Sequence, residues 1–462
     1  MDDPSTTGPA LTIDGLAELT ATPVETLRAW QDLGLLSSRG AALSPEDVER
    51  VRLLQFVERR GVSPEAVAHA MEAQGDLLGD FVDSMLGGRR PGPALPVADA
   101  ADATGLDPAV LQRLWVAAGL GDQDHADHDD LDAMRWLRTT LEAGLPEDAL
   151  VQIVRVFADA LGRVADAESR LFHHYVHERL RAEGLTGQEL TAATRSVSQP
   201  LKGLIEPSLL YFHRIAFRRA LREDLLVHLA EGATPPTEVP GEIEATILFV
   251  DLSGFTPLTE AMGDAAAARL MERFSNLVRG AALRWHGRVV KQIGDEFMLA
   301  FTDPASAVRC GLDIEAASIA EPQFPAVRMG AHAGLVLYRE GDYVGATVNT
   351  AARVVAEAGR HQFLITTAVR TAVTDIPGVE VVACGTRQLK GLTATPELHD
   401  VHHIGPGRAR ATDPVCLMEL DPASAAARLT WRGTYLRFCS DDCLRRFVAA
   451  PEHYTLTPPQ VG

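Results

Sequence analysis

Lysine is almost missing from this chain. Of the 43 basic residues in 462, only Lys202, Lys291 and Lys390 are lysines, and the rest are arginines. Against that bias, a retained lysine marks a place where a compact ammonium differs from a planar guanidinium. Positive charge as a whole is short. The 63 acids leave a formal net charge of -20, which argues against a broad nucleic-acid or anionic-membrane surface. No apolar run reaches the roughly 18 residues of a membrane span. The N-terminus, Met-Asp-Asp-Pro-Ser-Thr-Thr, lacks the basic and apolar regions of a secretory signal. Five unevenly spaced cysteines make no disulfide framework. These absences predict a cytoplasmic protein without a membrane partner.

What is present is ordinary globular material, 46% hydrophobic. It is too long for one core, and the length prior is about three domains. After a tail over residues 1–9, residues 10–86 read as helices. Thr12 to Leu19, Val24 to Trp30 and Val48 to Arg60 carry the helical pattern, and Ser44-Pro-Glu-Asp47 is a helix start. The plan repeats over 95–150. Leu95, Leu111, Trp115 and Gly119-Leu120 match Leu11, Leu27, Trp30 and Gly34-Leu35, and the offset over the whole repeat is 83 to 85 residues. A Gly/Pro-rich linker, Gly87 to Pro96, separates the units. Residues 151–231 read as all-helical, with His173, His174, His177, His213 and His228 among them. Histidine titrates near neutrality, which would suit a switch. The segment Gly232 to Pro240 reads as a linker. Strand and helix signals then alternate over 241–403, an α+β pattern. A break at Gly405-Pro-Gly407 precedes a small module over 411–456.

The α+β region sets out its polar residues in an informative order. Asp251 ends the apolar run Thr246 to Val250, read as a buried strand. Ser253-Gly-Phe-Thr256 follows as a tight turn into a helix, whose free N–H groups suit a polyphosphate. Arg288 to Phe301 reads as a hairpin with Asp295 in its turn and Lys291 just before it. Carboxylates on two neighbouring strand ends suit a pair of Mg²⁺ or Mn²⁺ ions, because hard cations take oxygen ligands and nucleotide phosphates. Such a pair activates a hydroxyl and stabilises charge on an attacked phosphorus. Asp342 lies in Gly341-Asp-Tyr343. Asn349 and Arg353 are four apart on a predicted helix and share a face. Cys310 and Cys384 fall in a predicted helix and strand and read as core residues.

This motif set resembles the class III nucleotidyl cyclase catalytic domain, of adenylate cyclase type and ferredoxin-like fold. The resemblance implies that Asp251, with Leu252 beside it, and Asp295 hold two metal ions. It implies that Lys291 and Asp342 read adenine, and that Gly254, Phe255, Thr256 and Lys390 meet the phosphates. Asn349 and Arg353 would stabilise the transition state. ATP is the implied substrate, and a homodimer with two shared sites is the implied assembly.

The flanking regions carry looser likenesses. Residues 10–86 resemble a MerR-type winged helix-turn-helix, and 95–150 a degenerate second copy. Yet residues 1–90 hold 8 Arg, no Lys and 15 acids, a net of -7, the wrong sign for replacing DNA counterions. A regulatory or protein-interaction scaffold is therefore favoured over a nucleic-acid partner. The helical region resembles the regulatory domains of soluble, pH-responsive actinobacterial adenylate cyclases. Asp413-Pro-Val-Cys416, Phe438-Cys-Ser-Asp-Asp-Cys443 and Pro451-Glu-His-Tyr454 resemble a YHS domain. Cys416, Cys439 and Cys443, with His453 as a fourth ligand, are its candidate site for Zn²⁺ or another thiophilic metal. A module below about 50 residues rarely holds together by core alone. The competing reading of the whole chain is a MerR-type transcription regulator whose cyclase-like domain senses a ligand.

Overall fold

In a computed structural model, residues 11–38, 43–76, 78–79, 95–121, 125–231, 239, 241–373, 376–393, 395–404, 411–420, 422–423 and 425–454 are described. The tail over residues 1–9, most of both predicted linkers and the break at Gly405 lie outside them. The chain divides into two compact units, Met1–Pro235 and Pro236–Gly462. Among the described residues no helix is long and apolar enough to cross a membrane.

The first unit is helical. Helices α1 (Ile13–Thr20), α2 (Val24–Asp32), α3 (Pro45–Glu58) and α4 (Pro64–Gln74) enclose Leu16, Leu27, Trp30, Leu35 and Leu54. A bridge between Leu11 and Leu43 closes this bundle. The second copy follows the same path. Strand β1 (Leu95–Pro96) pairs with β2 (His125–Ala126), and α5 (Val97–Thr104), α6 (Pro108–Ala117) and α7 (His128–Glu142) enclose Leu111, Trp115, Leu131 and Met134. The turn after the second helix is the same in each. The Leu35 amide donates to the Trp30 carbonyl at 2.9 Å, and the Leu120 amide to Trp115 at 3.0 Å. Gly34 and Gly119 sit at φ +72° and +79°, the left-handed geometry that ends a helix at glycine.

The predicted boundary at 150/151 falls inside one helix, α8 (Glu147–Phe172). Its first turns pack Leu150 and Val151 on Leu114 and Ala117, so the second bundle and the helical region are physically continuous. A π-turn, His173–His177, leads into α9 (Glu178–Ala182) and then α10 (Gly187–Glu231). The His173 and His177 rings stack there at 5.0 Å.

The second unit is built on one eight-stranded sheet. Its strands are β3 (Glu242–Leu252), β4 (Arg288–Ile293), β5 (Glu296–Phe301), β6 (Val327–Arg339), β7 (Asp342–Val344), β8 (Gln362–Thr366), β9 (Val379–Thr386) and β10 (Glu397–His403). The order is β4-β5-β3-β6-β8-β10-β9, with β7 on β6. All pairs are antiparallel except β6 with β8. Alternation along β3 sorts its two faces. Leu248, Val250 and Leu252 join the main core with helices α12 (Asp264–Arg284) and α13 (Pro304–Ala320). At its centre Phe274 meets Phe297 edge-on at 5.2 Å; truncating either to alanine would cost about 3–5 kcal/mol. Ile247 and Phe249 face the other way, against Ala351 and Val355 of α14 (Ala346–Glu357). That helix lies close because Gly330 has no side chain: a Cβ there would stand 2.2 Å from the Val355 nitrogen. Helix α11 (Phe255–Met262) follows β3, and α15 (Thr367–Ala372) follows β8.

The C-terminal module has β11 (Ala411–Thr412) paired with β12 (Glu419–Leu420), β13 (Ala427–Trp431) paired with β14 (Thr434–Phe438), and α16 (Asp441–Ala449). It does not rely on a core of its own. Val415, Cys416, Met418, Phe438, Cys443 and Phe447 belong to the same apolar cluster as Leu252, Leu258 and Phe274. A segment too short to bury enough surface alone has borrowed the neighbouring core.

Candidate active site

Asp251 lies on the same face of β3 as Ile247 and Phe249, one residue before the strand ends, and is 5% exposed. It stands opposite Glu296 on β5 and Arg328 on β6. Nε of Arg328 donates to its carboxylate at 2.5 Å. Asp295 occupies the two-residue turn between β4 and β5. Three carboxylates therefore crowd one guanidinium. Burial first, then the charge of Asp251, holds Asp295 and Glu296 above the usual carboxylate range. This excess of half-buried negative oxygen suits a hard divalent cation, whose charge would reverse those shifts. Leu252, 1% exposed, is oriented with its side chain in the core, leaving only its backbone for a ligand.

The turn after β3 is fixed from both sides. The Ser253 amide donates to the Ala326 carbonyl at 2.8 Å. Gly254 caps α11 at φ +78° and leaves Phe255 and Thr256 in the first turn, where amides have no helical partner. Thr259, one turn on, returns its hydroxyl to the Phe255 carbonyl.

Lys291 and Asp342 come together although 51 residues separate them. Lys291 Nζ donates to Asp342 Oδ2 at 2.5 Å, both side chains about one-third exposed. Sequence reasoning did not reach the aromatic wall beside them. Tyr338 and Tyr343 meet edge to face at 5.3 Å, and Arg288 lies over both rings at 5.4 and 5.9 Å. Arg288 also donates to the Gly341 carbonyl at 3.2 Å, pinning the β6–β7 turn. The alternation of Tyr338 with its neighbours, near a hairpin glycine, was the available signal.

Asn349 and Arg353 are exposed on α14, one turn apart. Lys390 is exposed in the turn after β9. Buried Leu389 anchors that turn, and Gln388 Nε2 closes it on the Leu392 carbonyl at 2.8 Å. Of the cysteines outside the module, Cys310 is fully buried in α13 and Cys384 half-buried in β9.

A second cluster lies in the C-terminal module. Sγ of Cys416 is 3.5 Å from that of Cys439, which is 3.7 Å from that of Cys443. A tetrahedron with metal–sulfur bonds of about 2.3 Å has edges of about 3.8 Å, so the spacing fits a thiophilic ion. The fourth group is not the expected His453. That residue is exposed on a 3₁₀ turn, outside the cluster. Asp413 takes the place, with the four ligand atoms within 4.8 Å of one another. It is completely buried. Its oxygens accept from the amides of Val415 (2.8 Å) and Cys439 (2.7 Å), so one carboxylate ties both cysteine loops. An aspartate opening an Asp-Pro-Val-Cys turn was the legible hint. Thiol donation from Cys416 and Cys439 draws Cys443 down to about 2, while hydrogen bonds to Cys439 and Cys443 push Cys416 far up.

Comparison with known proteins identifies the family. Residues 40–221 match the adenylate cyclase regulatory domain, and residues 239–402 match the adenylate and guanylate cyclase catalytic domain. The chain is 26% identical over 367 residues to the pH-sensitive adenylate cyclase MT1302 of Mycobacterium tuberculosis, covering 76% of this chain and 88% of that protein. It is 32% identical over 371 residues to the uncharacterized protein Rv2212 of the same species, covering 76% and 91%. An adenylate cyclase of Streptomyces coelicolor is 30% identical over 274 residues, covering 58% and 69%. The chain belongs to the class III adenylate and guanylate cyclase family, as an adenylate cyclase with an N-terminal cyclase regulatory domain.

Proposed function

We propose that this chain converts ATP to 3′,5′-cyclic AMP and pyrophosphate at two equivalent sites of a homodimer. The Lys291–Asp342 pair carries the reading. A cation donor beside a carboxylate acceptor matches the ring nitrogen and exocyclic amine of adenine, and guanine offers the opposite pattern at that edge. Asp251 and Asp295, with the backbone of Leu252, hold the divalent cations, which when bound supply an activated ribose 3′-hydroxyl and charge on the phosphates. The amides of Gly254, Phe255 and Thr256 cradle the polyphosphate, and Lys390 adds a mobile cation. Asn349 orients the ribose. Arg353 faces the charge that develops on the attacked phosphorus.

The dimer reading is supported by apolar side chains left at the surface. In the catalytic unit Ile293, Leu335 and Val344 are exposed on β4, β6 and β7, the strands that carry or flank Lys291 and Asp342. In the helical unit Ile153, Phe157, Leu161 and Val164 form an exposed stripe along α8. The paired N-terminal bundles, a winged-helix-like tandem, serve as scaffold and regulator. The acidity of residues 1–90 disfavours the transcription-regulator alternative. At the C-terminus a thiophilic ion such as Zn²⁺ sits among Cys416, Cys439, Cys443 and Asp413.

The test is turnover by the full-length protein with Mn²⁺ or Mg²⁺. Cyclic AMP from ATP, with cyclic GMP from GTP at least about tenfold slower (1.4 kcal/mol), is expected. Failure to form either cyclic nucleotide would refute the reading.

A further inference from the structure

One short loop joins the thiol cluster to the turn that follows β3. Asp413 and Cys416 stand at one end of it, and Glu419 opens β12 at the other. Between them Leu417 adopts φ +61° and lays its side chain on Gly254. A Cβ added to that glycine would stand 2.6 Å from Leu417 Cδ1. The loop is clamped where it touches. Arg360 Nη2 donates to the Leu417 carbonyl at 2.9 Å, and the buried Glu419 carboxylate takes Arg360 at 3.2 Å and His361 Nε2 at 2.7 Å. Met418 bridges to Pro325, the residue before the Ala326 carbonyl that receives the Ser253 amide. At the far end of α11, Arg446 of α16 donates to the Glu260 carbonyl at 3.1 Å. The module therefore grips both ends of the helix that starts at the phosphate turn. Both matched family domains end before it, at residues 221 and 402.

We propose that a thiophilic divalent cation bound by Cys416, Cys439 and Cys443 controls the rigidity of the Ser253–Thr256 turn, and through it the cyclase site's hold on a nucleoside triphosphate. The consequence for turnover rests on the reading of that turn as the phosphate cradle. The thiols come from two segments, 413–418 and 438–443, which the Asp413 carboxylate joins through hydrogen bonds it accepts from their backbone amides. A cation sharing all three sulfurs cross-links those segments. Cys416 is bonded directly to Leu417, so a displacement of its sulfur reaches Gly254 through one residue. Loaded, the module holds Leu417 against the turn; stripped, the loop loosens and the turn with it.

The experiment uses the full-length protein, stripped by chelator and then loaded with Zn²⁺ or Co²⁺, with Mg²⁺ present throughout. The Co²⁺ protein should show thiolate-to-cobalt charge-transfer absorption. Zn²⁺ loading should slow amide exchange across residues 252–262 by at least about fivefold and lower the KM for ATP by a similar factor. Leu417→Ala should keep the cobalt spectrum and lose the added protection. Cys439→Ser should lose both. A cobalt spectrum with unchanged exchange at 252–262 would overturn the coupling. So would protection that follows a Cys416–Cys439 disulfide with no metal taken up. If neither state makes cyclic AMP, the cyclase reading alone fails, because the exchange measurement still decides the coupling.

Discussion

The two units of this chain dispose of their apolar side chains in opposite ways. In the C-terminal unit Leu248, Phe274, Phe297, Phe324 and Phe363 turn inward between sheet and helices and are almost fully buried. In the N-terminal unit α8 and α10 carry Phe157, Leu161, Leu171, Leu204, Tyr211, Phe212 and Ile215 outward. Single exposed apolar residues are ordinary, but a stripe at helical spacing is the pattern of a packing surface, which on our account meets the second chain. The catalytic unit is thus closed as a fold, and on our account open as a site, since base-reading and metal-holding groups serve different sites of the dimer. The helical unit is the reverse: its described residues leave an apolar face outward, and on our account the catalytic groups lie in the other unit. On our account the difference assigns the chemistry to the catalytic unit and gives the helical unit a share in assembly.

Putting charge into the helical stripe would break that comparison most severely. Phe157→Glu with Leu161→Glu replaces two half-exposed apolar side chains of α8 with like charges that a packed interface would have to desolvate. The double variant should sediment as a monomer with unchanged helix content, and cyclic AMP formation should fall at least about 100-fold (2.7 kcal/mol). A fully active dimer would mean that the stripe serves another purpose.

A smaller effect sharpens the other half of the comparison. Glu315 is a carboxyl inside the closed catalytic core, 8% exposed, and burial raises its pKa from 4.5 to about 7. Between those values the unfolded chain loses a proton that the folded chain keeps. The contribution of Glu315 is therefore fully present below pH 4.5 and is lost as pH rises through about 7. Glu315→Gln keeps the neutral shape at every pH. Its thermal midpoint should match the parent near pH 4.5 and exceed it at pH 8, with a gain of up to about 3 kcal/mol at 1.36 kcal/mol per unit. Equal midpoints at both pH values would show that the carboxyl is solvated.

The contrast between the units also explains what could be read from the sequence. Asp251, Lys291, Asp295 and Asn349 are polar residues that punctuate strongly patterned strands and a helix, so local periodicity placed them on the right elements. The repeated bundles were legible because Trp30 and Trp115 precede the same glycine turn. Partners distant in the chain were not. Arg328 meets Asp251 across 77 residues, and no periodicity links them. His453 was grouped with the thiols because its segment belongs to the same YHS-like motif set, whereas Asp413, already caught by two loop amides, is the residue the fold brings to them. The boundary at residue 150 was misplaced because a change of tertiary partner leaves no mark on a continuous helical pattern. The dependence of the C-terminal module on the catalytic core was hidden for the same reason.

The central claim, that each site is assembled from two chains, is tested most directly by mixing two inactive variants. Asp295→Ala removes a metal-holding carboxylate without stranding Arg328, and Arg353→Ala removes the transition-state cation. Each homodimer carries one defect in both of its sites and should be nearly inactive. In a heterodimer one site carries both defects and the other carries none. Random exchange makes half of the dimers heterodimeric, so an equimolar mixture should recover about a quarter of wild-type cyclic AMP formation if the two sites act independently. A mixture that exchanges subunits, as shown by a mass-labelled partner, yet stays as inactive as its parents would contradict the shared-site account.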